Sequence, residues 1–194
     1  HVYQLSHSGN TRNWIGFSTN ATYLRNANES LMEVRNATAF TMWNSTIQRR
    51  VTCNLFSCPE FPSCTDTNCN FNLEKGAGYE LNINSSAPSN VNWSLIGVAY
   101  LDKVNISLIK NSTSSGKNWV SLFGNTTLIN ASSILQNISK ADSVSQWLAL
   151  QQISQGLIPS PFSFGNPYLG TKFNLSIERG YEVSVNESYN WTQI

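Results

Sequence analysis

Apolar positions in this chain fall into short alternating runs. In Val2–His7, Tyr3 and Leu5 share one face and polar residues the other, the period of two expected of a half-buried strand. Val104–Ile109 reads the same way. Further strands are predicted from Trp14 and Trp119, over Ala39–Ile47 and Ser143–Gln151, and as a single apolar run from Leu95 to Leu101. Two short segments carry a helical pattern instead. Asn130 stands as an N-cap before Ile134, Leu135 and Ile138, and Asn26 to Val34 is its analogue. Hairpins are predicted over Phe71–Asn84 and Phe173–Asn186, with Gly76, Gly78 and Gly180 in turns where positive φ is easy. No apolar run approaches the ~18 residues of a membrane span.

These elements recur in order. Asn13-Trp14 returns at Asn118-Trp119, Asn26-Ala27 at Asn130-Ala131, and Trp43 at Trp147. Phe71-Asn72-Leu73 returns at Phe173-Asn174-Leu175, Gly78-Tyr79-Glu80 at Gly180-Tyr181-Glu182, and Asn92-Trp93 at Asn190-Trp191. Ordered landmarks at a nearly constant offset signal duplication. The expected fold is mainly β: two tandem homologous β-sandwich-like modules, 1–102 and 103–194, each with one short helix. The repeated Trp and Tyr are expected in a shared core, with a carbohydrate-binding platform as the alternative.

Composition changes the picture in one direction. Charged residues are only 12% of the 194, and the formal net charge is +1. No basic stripe suggests a nucleic-acid partner. Asn, Ser and Thr take the place of charges, and they are arranged. Asn-X-Ser/Thr begins at Asn20, Asn28, Asn36, Asn44, Asn84, Asn92, Asn105, Asn111, Asn125, Asn130, Asn137, Asn174, Asn186 and Asn190. That is roughly three times what random placement of these residue types gives. Such acceptor motifs imply covalent N-glycans and an extracellular or cell-surface location. The first residue is His1, so a removed signal peptide is expected.

Cys53, Cys58, Cys64 and Cys69 cluster within an insertion at 51–70. Their spacing lacks the close pairs of a zinc site, and two disulfides are expected. Three connectivities are open. Cys53–Cys69 with Cys58–Cys64 would suit one antiparallel hairpin, although residues five apart on a strand face opposite ways.

Catalysis needs converging groups, and none is apparent. The two histidines are His1 and His7. Glu80 and Glu182 are equivalent through the repeat and are read as strand carboxylates rather than a glycosidase pair. No metal-binding cluster, phosphate loop or cofactor motif is found. The reading is that the chain is not an enzyme.

The repeated Asn-Trp, Asn-Ala, central Trp, Gly-Tyr-Glu and closing Asn-Trp resemble a module recurring in archaeal surface proteins. This chain departs from the fuller pattern in the glycine before the first Trp and in the Glu after Tyr. The whole chain also resembles subunits of glycosylated archaeal thread filaments. That resemblance implies an extracellular homopolymer joined by strand donation.

Two segments are candidates for assembly. Ser94–Tyr100 follows the first closing Trp, whereas the second module has only three residues after Trp191. The second module is thus expected to lack a strand, which a neighbour's Val2, Tyr3, Gln4, Leu5, Ser6 and His7 would supply head to tail. The alternative is that this strand completes its own module. The proline-rich loop 159–170 presents Phe162, Phe164, Tyr168 and Leu169 as an inter-subunit contact or as cover for its own module. A filament subunit is therefore expected, with an adhesin or surface-glycan-binding module as the alternative.

Overall fold

The computed structural model describes residues 2–6, 12–54, 70–84, 86, 90–100, 102–113, 116–124, 126–162 and 165–193. The fold is mainly β. The first half contains β1 (Val2–Ser6), β2 (Arg12–Gly16), β3 (Thr19–Asn20), α1 (Ala27–Glu33), β4 (Ala37–Asn44), β5 (Arg49–Asn54), β6 (Gly78–Ile83), β7 (Asn90–Ser94) and β8 (Val98–Ala99). The second contains β9 (Val104–Leu108), β10 (Lys117–Ser121), α2 (Ala131–Asn137), β11 (Ala141–Leu148), β12 (Ile153–Pro159), β13 (Tyr168–Gly170), β14 (Gly180–Val185) and β15 (Tyr189–Gln193).

Strand order matches between the halves. One sheet runs β2-β6-β4-β5, the other β10-β14-β11-β12-β13, and all pairings are antiparallel. A register shift interrupts β4 between Ala37 and Ala39 and β11 between Ala141 and Ser143. Opposite each large sheet lies a strand pair, β1-β7 or β9-β15. Two separate cores result. Tyr3, Leu5, Phe40, Tyr79, Leu81 and Trp93 belong to one; Leu108, Ile134, Val144, Tyr181, Val183 and Trp191 belong to the other.

Local chemistry explains the helices. Asn26 Oδ1 accepts from Glu29 N at 3.0 Å, and Asn130 Oδ1 accepts from Ser133 N at 3.0 Å. The second cap is reciprocal, because Asn130 N donates to Ser133 Oγ. Each sheet also carries a tyrosine that ties down the loop before it. Tyr79 OH accepts from Glu74 N at 2.6 Å, and Tyr181 OH accepts from Ser176 N at 2.5 Å.

Three strand expectations need correction. The segments 71–84 and 173–186 are not hairpins: Asn72 and Asn174 make single bridges to Asn26 and Asn130, and only β6 and β14 continue as strands. The described part of the run Leu95–Leu101, residues 95–100, contributes just β8, two residues paired with β3. Gly78 and Gly180 do not serve as positive-φ turn residues. A Cβ on Gly78 would lie 2.7 Å from Val120 O, and one on Gly180 would lie 2.7 Å from Ile15 O. These glycines permit close approach of the other half.

That approach builds a reciprocal contact. Trp14 meets Trp119 at 5.3 Å between centroids and Trp147 at 6.1 Å, and Trp43 meets Trp119 at 5.9 Å. Glu80 Oε2 accepts from Trp14 Nε1 and Glu182 Oε2 from Trp119 Nε1, each at 3.1 Å. Arg50 lies 3.3 Å from Glu80, with its guanidinium over Trp119; Arg12 lies 3.7 Å from the same carboxylate and over Trp147. Lys117 lies 3.1 Å from Glu182. Gln48 and Gln152, both at positive φ, reach across from the β4–β5 and β11–β12 turns. Gln48 accepts from Lys117 N and donates to Lys117 O; Gln152 accepts from Arg12 N and donates to Arg12 O. Each amide thus caps the edge strand of the opposite sheet. The tryptophans 14, 43, 119 and 147, expected in the module cores, instead join the halves.

Glu80 is almost wholly buried, whereas Glu182 is partly exposed. Removing Glu80 would strand Trp14 Nε1 and unpair two guanidiniums. Glu80→Ala is expected to lower unfolding free energy by about 3 kcal/mol or more, and Glu182→Ala by less, read from denaturant midpoints.

Burial pushes Tyr181 up to about 12 and also raises Tyr3 and Tyr79 from the ordinary 10.0. Their neutral forms are favoured by folding. This stabilisation is complete below the unfolded pKa and is lost as pH rises from 10 through the folded value. The denaturation midpoint should therefore hold from neutral pH to about 10 and fall above it, with tyrosinate absorbance rising as the protein unfolds.

Candidate functional site

The acceptor asparagines sort by environment. Asn20, Asn36, Asn84, Asn92, Asn105, Asn137, Asn174, Asn186 and Asn190 are exposed. They occupy both halves, on strands, helix ends and turns. Asn44, Asn111 and Asn130 are half-buried and employed: Asn44 Oδ1 accepts from Thr46 N and Ile47 N, Asn111 Nδ2 donates to Thr46 O, and Asn130 caps α2. Asn28 is buried within α1 and packs with its Oδ1 3.1 Å from Cys53 Sγ. Asn125 lies outside the described residues.

Cys53 is buried in β5 opposite Phe40. Cys58, Cys64 and Cys69, and with them the expected connectivity, lie outside the described residues.

Of the two places the sequence left open for the N-terminal strand, the structure shows the one in its own module. Val2, Tyr3, Gln4, Leu5 and Ser6 form β1 and pair with Ser94 through Asn90 of β7 in the same chain. Tyr3 and Leu5 are buried, and Tyr3 OH donates to Gly16 O at 2.8 Å. His7 lies outside the described residues. The second half is closed in the same way, by β9 on β15, so the groove expected for a donated strand is already filled. The sequence pattern could not separate the two cases, because a strand with one apolar face fits its own module and a neighbour's equally well.

The aromatic loop divides. Tyr168 and Leu169 lie in β13, which ends the second sheet. Tyr168 is half-buried and packs against its own core, while Leu169 is exposed. Phe162 is 70% exposed, too far out to cover the module beneath. Phe164 lies outside the described residues.

Leu169 lies opposite Ile158 of β12, and both are exposed; Leu150 and Ile153, also exposed, lie at the other end of β12, at its turn from β11. Sequence reading named Leu169 but not Ile158, which becomes its neighbour only when β12 and β13 pair. The stretch 140–173 that holds these residues contains no acceptor motif, and neither does the equivalent stretch 47–83 of the first half.

Two clefts flank the contact between halves, one of about 500 Å³ at Trp14, Trp147 and Arg179, the other of about 410 Å³ at Trp43, Trp119 and Lys75. They occupy equivalent positions. Their linings bring in the acidic residues Glu178 and Glu74 respectively, and neither includes Glu80 or Glu182. Among the described residues no group of three His, Cys, Asp or Glu side chains could hold a metal ion, and no helix is long and apolar enough to cross a membrane. Comparison of the chain with family models, curated proteins and solved structures finds no match.

A sugar on Asn28 is incompatible with its packing against β5. If the acceptor motifs carry sugar, peptide mapping of folded, native protein should find it at exposed acceptors and not at Asn28. Asn28→Gln should leave the glycan mass unchanged.

Proposed function

We propose that this chain is a structural subunit of a glycosylated extracellular filament, whose copies meet through sheet edges kept free of sugar. The observation that carries the reading is the coincidence of two patterns. Exposed acceptor asparagines are spread over both halves, yet the stretches 47–83 and 140–173 carry none. Those stretches include β5 and β13, the strands that end the two large sheets. The other two end strands, β2 and β10, are capped by Gln152 and Gln48. Among the described residues no strand pairs with the outer side of β13, where Leu169 is exposed beside Ile158 of β12, and such an edge is a site for a further strand. Joining β13 of one copy to β5 of the next would be heterologous, so it can propagate without closing. This arrangement takes the place of N-terminal strand donation.

A second reading, an adhesin or carbohydrate-binding module, draws on Phe162, whose exposed ring beside a stiff proline-rich loop could stack on a sugar. Phe162→Ala would then abolish glycan binding and leave assembly intact.

Negative-stain microscopy of native material should show regular polymers, and enzymatic deglycosylation should bring the intact mass down toward 21.6 kDa. The double variant Ile158→Lys, Leu169→Lys alters exposed side chains only. It should retain the wild-type melting temperature, within about 2 °C, and stay monomeric. Polymers unaffected by this change would sink the sheet-edge contact.

A further inference from the structure

We infer that Asn105 and Asn190 form a matched pair of acceptors, glycosylated before β9 and β15 meet and locked together afterwards, so that two sugar chains leave one strand pair side by side. The inference rests on the glycoprotein reading above. Its basis is a register. In the antiparallel β9–β15 pair, Asn190 lies opposite Ser107 and Thr192 opposite Asn105. The motifs Asn105-Ile106-Ser107 and Asn190-Trp191-Thr192 therefore face each other residue for residue.

Strand periodicity puts all four polar residues on one side. Asn105, Ser107, Asn190 and Thr192 are exposed, while Ile106 and Trp191 turn inward. Each motif's hydroxyl serves the other motif's asparagine. Thr192 Oγ1 donates to Asn105 Oδ1 at 2.7 Å, and Ser107 Oγ donates to Asn190 Oδ1 at 3.1 Å. Both bonds use the carbonyl oxygen. The amide Nδ2, where sugar attaches, is left on the exposed face, and a glycosylated amide keeps its carbonyl acceptor. The cross-strand latch is thus compatible with two attached glycans, rooted about 7–8 Å apart as diagonal neighbours.

The attachment step itself does not fit the paired state. In glycosyl transfer, Nδ2 bonds to the anomeric carbon of a lipid-carried glycosyl phosphate or pyrophosphate. The bond from that carbon to the phosphate oxygen breaks, its electron pair leaves with the phosphate, and the amide nitrogen gives up a proton. A transferase must also engage the motif's own hydroxyl. Here each hydroxyl is committed across the ladder and both backbones are paired. Lifting either strand would drag out Trp191, which is 1% exposed and whose Nε1 donates to Asn137 Oδ1 at 2.6 Å. Before folding none of this exists. The latch partners are 83 and 87 residues apart in sequence, so their pairing is a long-range event that comes after local structure.

The first half has no such pair. There Asn92 lies opposite Gln4 and Ser94 opposite Val2, so β1 supplies neither a second acceptor nor a second hydroxyl.

The test compares native protein with full-length chain made without glycosylation and then folded. Peptide mapping of native protein should find sugar on both Asn105 and Asn190. The folded bare chain, given membranes bearing the source organism's transferase and lipid-linked donor, should be modified at Asn84, whose Ser86 hydroxyl bonds to Oδ1 of Asn84 in its own motif and not across a strand ladder among the described residues. Modification at Asn105 and Asn190 should be slower by more than about tenfold, because access needs opening of the ladder. The same chain held unfolded should accept sugar at all three positions at similar rates. Equal rates in the folded chain, or native protein glycosylated elsewhere but bare at Asn105 and Asn190, would overturn the inference and leave the glycoprotein reading standing. Native protein without sugar anywhere would overturn both.

Discussion

The contact between the two halves is the constraint on which the rest of the structure depends. Four indoles supply its area, yet an apolar seam alone would slide. Bonds that cross it give it register, among them Trp147 Nε1 to Arg12 O and the backbone bonds Gly16 N to Glu178 O and Ser121 N to Gly76 O. Two carboxylates hold the indoles and cations of their own halves in place. Glu80 and Glu182 each accept from the indole of the neighbouring strand, and cations neutralise them at the boundary. Arg50 spans the seam, holding Glu80 of its own half while its guanidinium covers Trp119 of the other. Gln48 and Gln152 complete the contact by standing in for a neighbouring strand. Because the contacts are reciprocal, one repeated set of residues satisfies both sides, as in a two-fold dimer. The covalent connection turns what would be a concentration-dependent association into an intramolecular one.

That seam also allots the outer surface. Each large sheet has two edges, and the seam consumes one from each, β2 and β10. The remaining edges, β5 and β13, fall where the chain carries no acceptor motif. Bulky neutral sugars elsewhere would keep a surface poor in charge soluble and would block unwanted edge pairing. Exposed apolar side chains at β12 and β13 then have a use rather than being a liability.

If Asn105 and Asn190 carry glycans, as proposed, the paired motifs of β9 and β15 add a constraint in time: their geometry would hold two glycans and obstruct their attachment. A surface laid down in this way reflects the unfolded chain as much as the folded one, and the asparagine in α1 marks the limit: sugar there would block the packing that defines the first core.

How much of this was legible depends on range. The sequence alone determined the mainly β character, the two short helices with their asparagine caps, the order of repeated landmarks and the acceptor motifs. All rest on local spacing, and local spacing survives in a linear string. The burial of Tyr79 and Trp93 was legible too, since large aromatics at repeated strand positions pack inward. Tertiary structure alone decided the fate of Trp14 and Trp119: an indole at a repeated strand position suits a module core and an inter-module seam alike, and only the close approach allowed by Gly78 and Gly180 selects the seam. It likewise decided that Val2–Ser6 pairs with β7, because an amphipathic strand specifies a groove without specifying whose. It also selected among the asparagines, since the same three-residue motif lies buried in α1, capped in a turn or latched across a ladder according to what long-range packing brings beside it.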